Sequence, residues 1–124
     1  MVIKTGIDVI EVSRIEDNIS KFGDSFLNRI FTEKEIEYCE SKNVQKYQSY
    51  AARFAAKEAV FKAVSDFLDN KFEMKWTDIE VLNDENGRPF VIYHGKNIGN
   101  ITIDISISHI NTLAVASVVV KLEV

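Results

Sequence analysis

The chain has 124 residues with 15 Lys plus Arg against 19 Asp plus Glu, a formal net charge of −4 that argues against general nucleic-acid binding. The one cysteine, Cys39, excludes a disulfide scaffold, and the longest nearly apolar run, Leu113–Val120, is far shorter than the roughly 20 residues of a membrane-spanning helix. Because 46% of the residues are hydrophobic and no linker, repeat or secretory signal is visible, we expect one cytoplasmic domain over residues 1–124 without membrane contact.

The first part of the chain is predicted to be one strand followed by short helices. Val2–Val12 is β-branched and mostly apolar, which predicts a strand. Ser13 is followed three positions later by Glu16, and Thr32 is followed three positions later by Glu35. This is the spacing of a capping box, so it predicts helices near 14–22 and 33–41.

A long helix is predicted in the middle of the chain. Residues Lys46–Leu68 contain no glycine or proline, and six alanines alternate with larger apolar side chains. At 100° per residue these apolar positions cover most of the helix circumference, which is typical of a helix buried on several sides. We expect this helix to be the central element of the fold.

The second half of the chain is predicted to be a sheet. Trp76–Leu82 and Pro89–Tyr93 flank the turn Asn83–Gly87 and predict a hairpin. Ile101–Ser108 alternates strictly between apolar and polar residues, and Leu113–Leu122 follows a short connection. The pattern predicts an antiparallel meander and an α+β class.

Two carboxylates stand out among apolar neighbours. Asp8 interrupts the first predicted strand, and Glu58 lies on the face of the central helix that should pack against the sheet. A buried carboxylate must be paired or bind a metal, because its desolvation is otherwise costly. Two simpler interpretations stay open: Asp8 can be a solvated strand residue, and Glu58 can form an ion pair with Lys62, four residues later.

Basic and imidazole side chains give weaker signals. Arg53 and Lys57 form a second row on the central helix, which could grip a polyanion or could be solvated. His109 can be a ligand or an ordinary hydrogen-bonding residue at a strand end. The sequence contains no nucleophile elbow, phosphate loop, dinucleotide motif or zinc-protease motif. Two carboxylates with a nearby lysine therefore suit a hard metal ion and a phosphate-bearing substrate.

Several segments, taken in chain order, resemble one known family. The most specific is Arg53-Phe54-Ala55-Ala56-Lys57-Glu58-Ala59, followed by Lys62-Ala63. The others are Gly6–Ile15, Arg29–Glu33, Trp76–Val81, Asn86–Pro89 and Ile105–His109. Together they resemble the holo-acyl-carrier-protein synthases, the small 4′-phosphopantetheinyl transferases. One difference is that family members usually have a Gly-Thr-Gly-like turn soon after the position of Lys62, where this chain has no glycine.

The resemblance implies a fold and a reaction. The fold would be α+β, with a long central helix packed on an antiparallel sheet. The reaction would transfer the 4′-phosphopantetheine arm of coenzyme A to a serine of apo acyl carrier protein and release adenosine 3′,5′-bisphosphate. By resemblance, Asp8 and Glu58 would hold Mg²⁺ on the diphosphate, and Lys62 would stabilise or protonate the leaving phosphate. The serine of the partner would be the nucleophile.

The resemblance also implies which residues contact coenzyme A. The matching positions are Arg53, Lys62, Gly87, Arg88, Pro89 and His109. All of these except Lys62 match positions that contact the nucleotide end in this family. In such enzymes part of this set comes from a neighbouring subunit, and we expect a homotrimer with sites between protomers.

Acyl carrier proteins are acidic, so basic residues near the start of the chain are candidates for docking. These are Arg14, Lys21 and Arg29, although acidic residues lie among them in the sequence. We predict that Arg14→Glu weakens the use of carrier protein much more than the binding of coenzyme A.

Two other functions stay open. The chain could be a non-catalytic oligomeric binding module, in which Glu58 and Lys62 form a structural ion pair and Asp8 is solvated. It could also be a metal-dependent hydrolase of phosphoanhydrides, which would release free phosphopantetheine without modifying a carrier.

Overall fold

The computed structural model describes residues 1–68 and 74–123, which form an α+β fold of the predicted class. Its strands and helices, in chain order, are β1 Val2–Glu11, α1 Val12–Phe22, α2 Asp24–Ile30, α3 Glu33–Glu40, α4 Lys46–Val64, β2 Ile79–Asn83, β3 Pro89–Tyr93, β4 Asn100–His109 and β5 Leu113–Glu123. Short 3-10 turns are formed by Asn43–Gln45, Ser65–Phe67 and Trp76–Asp78. None of the described helices is long and apolar enough to cross a membrane.

The strands form two antiparallel sheets. One has the order β1-β5-β4, and the other is the hairpin of β2 and β3. The predicted meander is therefore wrong, because β3 and β4 are not hydrogen-bonded to each other and β1 covers the free edge of β5. Pairing between strands at opposite ends of the chain is not visible in a local pattern of residues.

Helix α4 is the centre of the fold, as its all-round apolar pattern predicts. It packs against β1 and β5, and its alanines from Ala51 to Ala63 are buried. Gly6 on β1 makes this packing close, because a Cβ at that position would clash with the carbonyl oxygen of Ala59. The backbones of β1 and α4 are thus held nearer to each other than any other residue would allow.

The two predicted capping boxes have different outcomes. At Thr32 the box is confirmed, since its Oγ1 accepts the backbone N–H of Glu35 and the Glu35 carboxylate accepts the backbone N–H of Thr32. At Ser13 it is wrong, because α1 already begins at Val12. The N–H of Val12 donates to the carbonyl of Thr112 at 2.9 Å, so the chain passes from β1 into α1 with a tertiary partner in place of a side-chain cap.

Candidate active site

Asp8 lies on the side of β1 that faces α4. Residues at even positions of β1 are shielded while odd positions are exposed, and the Asp8 side chain is 16% exposed. The interpretation of Asp8 as a solvated strand residue is therefore wrong. Glu58, on α4, is half-buried. The close approach at Gly6 brings these two elements together just before Asp8.

Lys62 is bonded to β1 and does not form the predicted pair with Glu58. Its Nζ lies 3.1 Å from Oδ1 of Asp8 and donates to the carbonyl oxygen of Ile7 at 3.0 Å. The strand offers a carboxylate and a carbonyl together, which outcompetes the i,i+4 partner on the same helix. The Lys62 side chain is 54% exposed, so it can reach a ligand from this position. We refer to Asp8, Glu58 and Lys62 as the carboxylate cluster.

The charges of the carboxylate cluster shift the pKa of Glu58. Burial raises the pKa of this carboxyl, and the nearby Asp8 carboxylate raises it further. Lys62 and Arg14 act in the opposite direction without cancelling the rise. Two carboxylates thus share a partly dehydrated site in which a further positive charge would be stabilising.

The carboxylate cluster fits a metal that takes few protein ligands. The described residues contain no group of three or more His, Cys, Asp or Glu side chains arranged for a metal ion. Mg²⁺ is usually bound through one or two carboxylates together with substrate phosphates and waters. A pair of carboxylates that repel each other, as Asp8 and Glu58 do, matches that donor set.

Lys57 is a structural residue. It is neither solvated nor free to bind a polyanion, so both interpretations of the row of Arg53 and Lys57 are wrong for Lys57. Its side chain is fully buried, and its Nζ lies 2.7 Å from Glu35 Oε1. It also donates to the carbonyl oxygens of Trp76 and Ile79 at 3.1 and 2.5 Å. Burial lowers the pKa of Lys57, while the Glu35 carboxylate opposes that shift. Lys57 therefore joins α3, the turn before β2 and β2 to the central helix.

Arg53 is also buried, with 4% of its surface exposed. Its guanidinium lies 4.0 Å from the ring centroid of Tyr38, and its Nη2 donates to Oδ1 of Asn83 at 2.6 Å. The row of Arg53 and Lys57 is thus neither solvated nor a free surface for a polyanion. A contact between Arg53 and coenzyme A stays a prediction.

The turn between β2 and β3 carries three of the predicted coenzyme A residues. Asp84 organises it: Oδ1 accepts the backbone N–H groups of Asn86 and Arg88 at 2.9 Å. Gly87 has φ +82°, which favours glycine. The Arg88 side chain is exposed and lies 3.4 Å from Asp104 of β4. Between the turn and β4 lies an open groove of about 330 Å³, lined by Asn86, Gly87, Arg88, Pro89, Ile105, Ser106 and Ile107.

The carboxylate cluster and this groove lie at opposite edges of the three-stranded sheet. Asp8 on β1 pairs with Ala116 on β5, which pairs with Ile107 on β4. Two strand spacings put the backbones about 10 Å apart. His109 is exposed at the end of β4, on the side of the groove. The structure therefore brings Asp8, Glu58 and Lys62 together and places the other exposed coenzyme A candidates elsewhere.

The three predicted docking residues are exposed. Arg14 and Lys21 lie on α1 and Arg29 on α2. A groove of about 260 Å³ between these helices is lined by Asn18, Phe22, Ser25, Phe26 and Arg29. Phe22 is 52% exposed there and was missed by sequence reasoning, although a phenylalanine directly after Lys21 at a helix end is a visible signal.

Comparisons with known proteins show the family of the chain. Residues 4–116 match the model of the 4′-phosphopantetheinyl transferase superfamily. The chain is 42% identical to the holo-[acyl-carrier-protein] synthase of Koribacter versatilis, with 98% of this chain and 99% of the relative covered. It is 45% identical to that of Ruminiclostridium cellulolyticum, with 94% and 90% covered.

Solved structures show the same fold. A holo-(acyl-carrier-protein) synthase of Bacillus anthracis in complex with CoA (3′,5′-ADP) has a TM-score of 0.79 at 37% identity, with 97% of this chain and 96% of that chain covered. The Helicobacter pylori holo-[acyl-carrier-protein] synthase in complex with coenzyme A has a TM-score of 0.80 at 32% identity, with 94% and 99% covered. The chain belongs to the holo-acyl-carrier-protein synthases, enzymes of the 4′-phosphopantetheinyl transferase superfamily.

Proposed function

We propose that this protein transfers the 4′-phosphopantetheine arm of coenzyme A to a serine of apo acyl carrier protein, with Mg²⁺ held by Asp8 and Glu58. The observation that carries the proposal is the carboxylate cluster: two close carboxylates and an exposed lysine, in a chain of the transferase family. The Bacillus anthracis and Helicobacter pylori structures contain coenzyme A or its nucleotide part, which supports coenzyme A as the substrate.

The residues of the carboxylate cluster have distinct roles in the transfer. When bound, Mg²⁺ would supply charge neutralisation at the diphosphate. The serine hydroxyl oxygen forms a bond to the phosphorus that carries the pantetheine arm, and the anhydride bond to adenosine 3′,5′-bisphosphate breaks. The carboxylate pair, acting through a water, accepts the hydroxyl proton. Lys62 leaves Asp8 and stabilises or protonates the departing phosphate.

A homotrimer with sites between protomers fits the surface of the three-stranded sheet. The face opposite α4 exposes large apolar side chains, namely Ile3, Ile7, Val9, Leu113 and Val119. A patch of this kind on a small protein is typical of a protein–protein interface. The carboxylate cluster and the groove at Arg88 lie at opposite edges of this sheet, so a neighbouring chain could complete each site.

The exposed surface of α1 and α2 fits an acidic carrier protein. Arg14, Lys21 and Arg29 supply positive charge, and Phe22 supplies an apolar anchor beside them. Arg14 also acts on the pKa of Glu58, so this surface adjoins the carboxylate cluster. A serine presented by a carrier docked there would come close to the two carboxylates. The cytoplasmic location expected from the sequence stays a prediction.

The direct test is the intact mass of an apo acyl carrier protein after incubation with this protein and coenzyme A. We expect a gain of one phosphopantetheine arm with Mg²⁺ and none with a chelator in excess. Release of free phosphopantetheine without carrier modification would favour the phosphoanhydride hydrolase. A folded protein that modifies none of several carriers would favour the binding module.

A further inference from the structure

Asn83, the last residue of β2, uses both ends of its side-chain amide. Its Oδ1 accepts a hydrogen bond from Nη2 of Arg53 at 2.6 Å, and its Nδ2 donates to the carbonyl oxygen of Gly87 at 3.0 Å. One side chain therefore connects the central helix to the turn that carries Arg88. Nothing in the sequence distinguishes Asn83 from an ordinary turn asparagine.

The turn has its own internal bonds, but these do not fix it to the rest of the fold. Asp84 closes it through backbone bonds with Gly87 and Arg88 and through its carboxylate. All of these partners lie within the turn. The ion pair from Arg88 to Asp104 is exposed on both sides and is weak for that reason. Beyond the pairing of β2 with β3, the Asn83 amide links the turn to the buried Arg53 of the central helix.

Arg53 is a suitable anchor for this bond. It is buried, lies against Tyr38 and comes from the longest helix of the fold. A hydrogen bond from a guanidinium is stronger than one between neutral groups. Among the described residues, the Nε of Arg53 is a buried nitrogen without a hydrogen-bond partner, so Asn83 carries much of the bonding of this guanidinium.

We propose that Asn83 is a positioning residue for coenzyme A, which fixes the turn at Gly87 and Arg88 relative to the central helix by bonding Arg53 and Gly87 at once. The proposal rests on the proposed function and on the family resemblance, by which this turn contacts the nucleotide end of coenzyme A. Asn83 itself is the last residue of β2, directly before the turn, and acts by holding the turn in place. A loosened turn must be ordered again at each binding event, which weakens binding without changing the chemistry at the carboxylate cluster.

The test compares Asn83→Ala with Asn97→Ala in the full protein. Asn97 is a matched control, because its amide oxygen accepts the backbone N–H of Gly99 in the loop before β4, away from the turn at Gly87. The readouts are kcat, the KM values for coenzyme A and carrier protein, and the Kd of adenosine 3′,5′-bisphosphate by calorimetry. Thermal unfolding is followed in parallel.

For Asn83→Ala we expect a three- to tenfold rise in both the KM for coenzyme A and the Kd of the nucleotide, about the effect of one or two hydrogen bonds. kcat and the KM for carrier protein should stay within twofold, and Asn97→Ala should resemble the wild type. A second variant, Asn83→Asp, keeps the acceptor for Arg53 but loses the donor to Gly87. It should restore thermal stability and still bind the nucleotide weakly.

The outcomes separate this inference from the function on which it rests. Wild-type transfer in the same assay supports the proposed function, and its absence would overturn that function and the positioning role together. If the wild type is active but Asn83→Ala lowers only thermal stability, or Asn83→Asp binds nucleotide like the wild type, the positioning role of Asn83 is overturned alone.

Discussion

Helix α4 carries two neighbouring rows of charged residues with opposite fates. Arg53 and Lys57 face α3 and β2, and their charged groups are enclosed by partners. Glu58 and Lys62 face β1, and both keep part of their surface open. Lys57 and Glu58 are adjacent in the sequence. About 100° of helix rotation therefore separates a charge that stabilises the core from a charge in the candidate active site.

The difference between the rows lies in what covers them. The Glu35 carboxylate and two backbone carbonyls surround Lys57, which compensates for the loss of water around its charge. Glu58 is half-buried and has the Asp8 carboxylate nearby, so burial first and Asp8 second raise its pKa. A fully satisfied charge stabilises a fold, whereas an incompletely satisfied one favours a ligand of opposite charge.

The largest effect on stability should come from removing a charge in the row of Arg53 and Lys57. Lys57→Ala leaves the Glu35 carboxylate buried without its cation, and breaking a buried pair in this way costs about 3–5 kcal/mol. That is a large share of the stability of a small domain. Urea unfolding followed by circular dichroism would measure it.

A double variant provides the control for Lys57→Ala. Lys57→Met with Glu35→Gln removes both charges, while the amide oxygen introduced at position 35 can still accept a backbone N–H. It should recover a large part of the lost stability, because replacing both partners of a buried pair is often close to neutral. Equal unfolding midpoints for the wild type and Lys57→Ala would contradict a structural role for Lys57.

In the row of Glu58 and Lys62, Glu58→Gln should abolish activity and leave the fold intact. We expect transfer to fall about a thousandfold, since a ligand of the metal and a proton acceptor are lost together.

Because the pKa of Glu58 is raised in the folded chain, the folded state binds its proton more tightly than the unfolded state. Without metal, ionised Glu58 therefore reduces stability as the pH rises above about 4.5, its ordinary value.

Stability against pH tests this sign directly. In metal-free buffer, the Glu58→Gln protein should be at least as stable as the wild type at pH 7, and it should lack the decline that the wild type shows on going up from pH 4.5. If Glu58→Gln unfolds the protein at pH 7, Glu58 has a structural role like that of Lys57, and the binding-module function gains support.

Lys62→Met should have a smaller effect, of about a hundredfold on kcat, as expected for the loss of one group that stabilises a leaving phosphate. Lys4→Met is a matched control, because Lys4 also forms an exposed ion pair, with Asp66, but lies on β1 outside the carboxylate cluster. Single-turnover mass spectrometry would separate the chemical step from binding. A rise in KM for coenzyme A at unchanged kcat would assign Lys62 to binding alone.

Local patterns predicted the local features and failed where distant segments meet. The capping box at Thr32 and the buried nature of α4 follow from spacing and composition within one segment. The partner of Lys62 depends on β1, which is more than fifty residues away in the chain. The burial of Lys57 depends likewise on Glu35 and on the carbonyls of Trp76 and Ile79. The charge pattern singled out Asp8, Glu58 and Lys62, and the family resemblance supplied their roles in a reaction.

The smallest effect concerns the docking surface, where charges are exposed. Arg14→Glu should weaken the use of carrier protein, but Arg14 also acts on Glu58, so this substitution adds negative charge near the carboxylate cluster as well. Lys21→Glu, at the far end of α1, is the cleaner variant. We expect it to raise the KM for carrier protein about three- to fivefold at low salt, with the KM for coenzyme A unchanged.

The salt dependence decides whether this effect is docking. An electrostatic contribution from Lys21 should shrink at high ionic strength, because exposed charges are screened. The matched control is Lys42→Glu, an exposed lysine beyond the end of α3 that makes the same change in net charge. If Lys42→Glu raises the KM for carrier protein as much as Lys21→Glu, net charge rather than the surface of α1 and α2 attracts the carrier.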